Sequence, residues 1–132
     1  MIANPWCGWC DFTLGNFKAR LSYLTDVPID LLDAFVDYYA KGKGVAYFDT
    51  EGTYLTLVLS QYTQDIFLIE DADELVLHTF PDIHINTLCD DLISDIENDF
   101  EKWCHFSTSD DEDDARLIQM YLSMLKELRR EK

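Results

Sequence analysis

Between Val45 and Phe80 four strand-like runs follow one another with short links, and this pattern constrains the chain more than any other. The runs are Val45 to Asp49, Tyr54 to Ser60, Ile66 to Glu70 and Glu74 to Phe80. In the second, Leu55, Leu57 and Leu59 face one way while Tyr54, Thr56 and Val58 face the other, the period of two expected of a strand. Thr50-Glu51-Gly52 reads as a hairpin loop, and Asp71-Ala72-Asp73 as a tight connection. Parallel neighbours need long crossovers, so links this short favour an antiparallel meander.

The flanking segments supply helices and one further strand. Within Phe12 to Leu24, the residues Phe17, Ala19, Leu21 and Tyr23 alternate with Lys18, Arg20 and Ser22, which reads as a half-buried strand. Gly15-Asn16 is a candidate turn closing a short hairpin with Phe12 and Leu14. From Val27 to Tyr39, the apolar stripe Ile29, Leu32, Phe35, Val36 and Tyr39 predicts a helix with Pro28 in its first turn and Lys41-Gly42 ending it. Ile85, Leu88, Cys89, Leu92, Ile93, Ile96, Phe100, Trp103 and Cys104 occupy one arc at helical spacing. Asp99 falls on that apolar side, and its expected role is a boundary carboxylate bonded to a loop. Leu117, Ile118, Tyr121, Leu122, Met124, Leu125 and Leu128 define a last amphipathic helix. The expected fold is α+β, one domain over 1–132: an antiparallel sheet of about four to five strands with three helices packed on it. No internal repeat and no dividing linker is evident.

Charge is the second constraint. With 26 Asp+Glu against 10 Lys+Arg the chain carries −16, yet it is 48% hydrophobic and 14% aromatic, which excludes a disordered acidic tail. Residues 1–81 carry 12 acids and 4 bases, and residues 82–114 carry 12 acids and Lys102 alone; residues 115–132 carry 5 bases and 2 acids. A surface this negative repels phosphates, so direct nucleic-acid binding is not expected, and a basic protein is the natural partner. No apolar run reaches the length of a membrane span. Met1-Ile2-Ala3-Asn4-Pro5-Trp6 lacks a basic and an apolar leader region, so a cytoplasmic protein is expected.

Catalytic signatures are missing. There is no Gly-x-Ser-x-Gly, no phosphate-cradling glycine loop, and no nucleophile–acid arrangement around His78, His84 or His105. His78 alternates with Val76 and Phe80 and reads as a satisfied histidine on a sheet face. Trp6-Cys7-Gly8-Trp9-Cys10 resembles a thioredoxin motif, but the expected strand before it and helix after it are not evident. Cys7, Cys10, Cys104 and His105 form a soft-ligand set on paper. Because Cys104 sits on an apolar helix face, packed or surface thiols are the expectation, with no metal, no cofactor and no catalytic residue.

The acids instead form stripes. Asp30, Asp33 and Asp37 line the first helix; Asp90, Asp91, Asp95 and Glu97 line the polar side of the second. Asp110, Asp111, Glu112, Asp113 and Asp114 form a run that lacks the glycine and final Glu of a calcium loop. Ser109 with Glu112 matches a capping box, and acids there offset the helix dipole, as Lys126, Arg129, Arg130 and Lys132 do at the far end. Five acids in a row exceed what a cap requires. These three stripes, around a few exposed aromatics, are the expected partner-binding surface.

In size, acidity and layout the chain resembles the immunity proteins of bacterial polymorphic toxin systems, including contact-dependent growth inhibition. The likeness runs from Trp6–Trp9 through Asp26-Val27-Pro28-Ile29-Asp30, the Tyr47-Phe48-Asp49…Gly52 hairpin and the Asp95-Ile96-Glu97…Trp103 helix. It implies a non-enzymatic antitoxin that covers the active site of the C-terminal toxin domain of a secreted effector, often a basic nuclease. A chaperone of a secreted effector and a DNA mimic are the alternatives from other classes.

Overall fold

The computed structural model describes residues 1–63, 65–107 and 111–131. Its order is β1 (Ile2–Trp6), β2 (Trp9–Leu14), β3 (Phe17–Ser22), α1 (Val27–Lys41), β4 (Lys43–Asp49), β5 (Tyr54–Ser60), β6 (Ile66–Asp71), β7 (Leu75–Phe80), α2 (Ile85–Asn98), α3 (Phe100–Cys104) and α4 (Asp111–Arg130). The chain is α+β, but its strands form two antiparallel sheets rather than one. The first has order β1-β2-β3 and the second β4-β5-β6-β7.

The first sheet is the main departure from expectation. The hairpin that Gly15-Asn16 suggested is present as β2–β3, with Gly15 at φ 57°, and the strand not expected is β1. It has no period-two signature, because Asn4 bends it at φ 54° and its register slips between Ala3 and Trp6. Only Ile2 and Pro5 of that strand turn inward. The meander matches the pattern of the sequence, with each strand pairing antiparallel to the next.

Helix α1 ends where glycine allows it. Gly42 takes the left-handed conformation at φ 89° and returns its N–H to the Tyr38 carbonyl, 2.8 Å away. The chain then reverses directly into β4, which packs against the helix. One apolar side of α1 lies on the inner face of the four-stranded sheet, on Ala46, Phe48, Leu55, Leu57 and Leu59, all buried. Helix α4 packs against α1 as well, with Ile118, Leu122 and Leu125 buried. The first sheet joins this core through Phe12, whose ring centre is 5.9 Å from that of Phe48.

The single long helix expected over Ile85 to Cys104 is broken. Asp99 leaves the helical region at φ −131°, ψ 37°, separating α2 from α3. A continuous helix would have driven its carboxylate into the apolar arc; the break leaves it half-exposed. The turn lets Trp103 bury fully and donate its indole N–H to the Asp95 carbonyl, 3.2 Å away.

Gly44 is the tightest packing point. A Cβ there would lie 1.8 Å from the Ala34 carbonyl oxygen of α1, so only glycine lets strand and helix meet. Gly44→Ala is expected to cost about 3 kcal/mol or more by forcing α1 off the sheet, against about 1 kcal/mol for an ordinary substitution. Urea unfolding of the two proteins checks this.

Candidate docking surface

Ten of the twelve candidate carboxylates are described, and most of these ten are placed differently from a solvated stripe. On α2, Asp90 accepts two bonds from the Arg129 guanidinium, from Nε and Nη2, each 3.0 Å long. Glu97 accepts from Lys126 Nζ at 2.7 Å. Asp95 receives the amino group of Met1 at 2.8 Å and the Ile2 N–H at 3.2 Å, tying β1 to α2. The basic end of α4 therefore does more than answer its own dipole: it fastens α4 to α2.

On α1, Asp37 lies 3.4 Å from Lys41 one turn on. Asp30, Asp33 and Asp37 are each half-buried, and all three raise the pKa of the Tyr121 phenol of α4, after desolvation as the leading cause. The acids of this helix thus run along the α1–α4 seam. Asp114 is buried there too. Glu112 and Asp113 are exposed at the start of α4, and Asp91 is exposed on α2. Ser109 and Asp110, hence the capping box, lie outside the described residues, as does the side chain of Asp111.

The same seam perturbs two carboxyls. Burial, then the Asp114 and Asp30 charges, pushes Asp26 up to about 6. Burial, then Asp33, does the same for Asp30. Both groups are harder to ionise in the fold than in the open chain.

Thiol chemistry finds no support in the geometry. A strand, β1, does precede Cys7, yet the chain runs on through a tight turn into β2, with Cys7 and Gly8 at φ 51° and 79°, and no helix N-terminus receives the motif. Cys10 is buried, and desolvation followed by Asp11 pushes its thiol up to about 12. Cys89 is buried likewise and raised to about 11. Among the described residues no group of three His, Cys, Asp or Glu side chains is placed to hold a metal ion. His78 takes the role its strand position suggested: its Nε2 is 3.1 Å from Glu70 Oε1 and its ring lies 4.9 Å from that of Phe17.

The surface without structural employment is on the other side of the molecule. Residues opposite one another in antiparallel strands share a face. By register, Val45, Val58, Phe67 and Thr79 form one row across the outer face of the second sheet, and Tyr47, Thr56, Ile69 and Leu77 form the next. Asp49, Tyr54, Asp71 and Leu75 form the third. Eight of these twelve positions are aliphatic or aromatic, and Leu75 (73%), Leu77 (60%), Val45 (58%), Tyr47 (49%) and Tyr54 (45%) are strongly exposed. Tyr47 and Tyr54 stack across neighbouring strands at 5.8 Å and 17°. At about 4.8 Å between strands and 7 Å between like-facing residues, the twelve positions cover roughly 400 Å² and the eight apolar ones roughly 270 Å². That approaches the size of the largest apolar patch on a typical monomer, which is often functional.

Its frame is acidic. Residues 43–80, which make the sheet and its links, contain 7 Asp+Glu against one base, Lys43, and the strand ends and loops at the Tyr54 end hold Asp49, Glu51, Asp71, Asp73 and Glu74. The sequence signal for this face was present as apolar residues on both sides of each strand, where a sheet wet on one side should alternate. Comparison with protein-family models, with curated proteins and with solved structures finds no match to this chain.

Protonating Asp26 and Asp30 favours the fold, because the folded chain holds protons between about pH 4 and 6 that the unfolded chain has released. Stability from this source is fullest below about pH 4 and is lost as pH rises through about 6. Asp26→Asn or Asp30→Asn is therefore expected to raise stability at pH 7.5 by about 1 kcal/mol after solvent screening, or roughly 3 °C in Tm, with the gain vanishing near pH 4. Thermal melts across that range check the sign.

Proposed function

We propose that this chain is an acidic immunity protein that binds a basic toxin domain and neutralises it by covering its active site. The observation that carries the reading is the outer face of the four-stranded sheet: an exposed apolar patch with a stacked tyrosine pair, framed by carboxylates at one end and bearing a single lysine, Lys43, at the other. An interface is built in this way, with aromatic anchors at the centre and a polar rim around them. Lysines and arginines on the partner complete the rim.

The division of labour follows from distance and burial. Apolar contact on the sheet governs how long the complex lasts, since truncating anchors chiefly speeds dissociation. The overall charge of −16 governs how fast it forms, by drawing a cationic protein in from beyond contact range. The exposed acids Asp91, Glu112 and Asp113 and the sheet's acidic loops serve that second task. Asp90, Asp95, Glu97, Asp30, Asp33 and Asp37 add to the same field from ion-paired or half-buried positions.

The test is co-expression with the C-terminal domain of a secreted protein encoded next to this chain. Growth is restored if the reading holds, and a toxin that kills cells regardless of this chain overturns it. Tyr47→Ala with Tyr54→Ala is expected to weaken the complex about 100-fold, mostly through faster dissociation, with helical and sheet content unchanged. Neutralising Asp110, Asp111, Glu112 and Asp113 is expected to slow association and flatten its dependence on salt, measured by stopped-flow at two ionic strengths.

A further inference from the structure

We propose that β7 accepts an extended segment of a basic partner as a fifth, antiparallel strand of the sheet. The inference rests on the proposed function only in taking the partner to be basic. Strand β7 is an edge: it pairs with β6 on one side, through an unbroken register from Ile66–Phe80 to Asp71–Leu75. Edge strands are normally blunted by lysine, proline, a bulge or a covering element. Within β7 there is no lysine, proline or bulge; Pro81 follows it and the β2–β3 turn flanks its C-terminal half, while Leu75 to Leu77 are left open. The opposite edge strand, β4, begins with Lys43 and has β3 and α1 packed beside it.

The strand is also unusually exposed. Leu75, Val76 and Leu77 are three consecutive apolar residues open to solvent at 73%, 40% and 60%, so both faces of the strand are wet. Beside it runs an open groove of about 600 Å³, lined along one side by Leu77 to Ile83 and on the other by Gly15, Asn16 and Phe17 of the β2–β3 turn. Phe17 reaches His78, and a Cβ on Gly15 would stand 3.1 Å from Phe80, so the hairpin tip forms a fixed floor under the inner side of β7. An added strand would pair its backbone with β7. It would rest alternate side chains on that floor and align the others with Leu75 and Leu77 on the outer patch, which strand addition uses for specificity.

Charge selects the occupant. Asp73 and Glu74 precede β7, with Asp71 of β6 opposite Leu75, and Asp82 follows it. A second copy paired antiparallel through β7 would set Asp73 and Glu74 against Asp82, like against like, in a chain already at −16. A strand with apolar alternate residues and lysine or arginine at both ends meets all of these features at once.

The experiment adds the peptide Lys-Lys-Val-Thr-Val-Thr-Val-Lys-Lys, with blocked ends, to the isotopically labelled full chain at about 1 mM, the weak end of specific binding. Amide exchange is then read residue by residue. Alternate amides of Leu75 to Phe80 are expected to slow about 10-fold or more. The effect should disappear when every second peptide nitrogen is methylated, which removes backbone donors while keeping charge and side chains. No slowing at β7, or equal slowing with the methylated peptide, overturns strand addition. Equal binding of the same peptide flanked by glutamates leaves strand addition standing and overturns the basic-partner reading. Shifts confined to Tyr47 and Tyr54 on the outer face overturn strand addition and leave the basic-partner reading intact.

Discussion

Helix α1 is the member on which the rest of the fold depends, because it presents apolar surface to two partners at once. One side lies on the inner face of the four-stranded sheet, brought into range by the missing side chain at Gly44; the other receives α4. A sheet covered by a helix on one face, with the first sheet's Phe12 and Phe17 filling the remaining inner side, has satisfied its need for a core. Its other face is then free of any folding duty. An apolar composition on that free face has no account in the packing of the monomer, and this makes it informative.

Charge is partitioned in the same manner. The helical layer contains both signs and consumes much of its acidity internally, through Asp90 with Arg129, Glu97 with Lys126 and Asp95 with the amino group of Met1. Such pairs are each worth little at an exposed surface, but together they fix α4 and β1 onto α2. The sheet layer holds almost one sign only. The two layers therefore face the solvent with different properties: the helical side is braced by ion pairs yet still holds 13 acids against 6 bases, and the sheet side is apolar at the centre and acidic at one edge.

Much of this was legible in the residues. The meander followed from period-two runs and short links, and α1 with its Gly42 end from a single stripe and a glycine. What escaped was local irregularity. Strand β1 is bent by a positive φ at Asn4 that no hydrophobic period reveals, whereas the β2–β3 hairpin was marked by its Gly15-Asn16 turn. The break at Asp99 was foreshadowed by an acid on an apolar arc, although the arc alone favoured continuity. For the candidate site the lesson is different. Acidic stripes look alike in sequence whether they meet solvent, a neighbouring helix or a partner; only packing shows that Asp33 sits at a seam and Asp114 inside. The sheet's outer face was written plainly as apolar residues at alternate positions, but it becomes a patch only when register aligns four strands.

The open edge of β7 also bears on how copies of the molecule stay apart in solution. A bare, apolar strand edge is a template for stacking like chains, and most folds bury or interrupt it. Here the guard is electrostatic and acts at a distance: every copy repels every other through its surplus of carboxylates. That protection is a property of the medium as much as of the fold. It thins as ionic strength rises, and it fades as acidity approaches the isoelectric point near 4.2, where the repulsion between copies is switched off while the edge stays open.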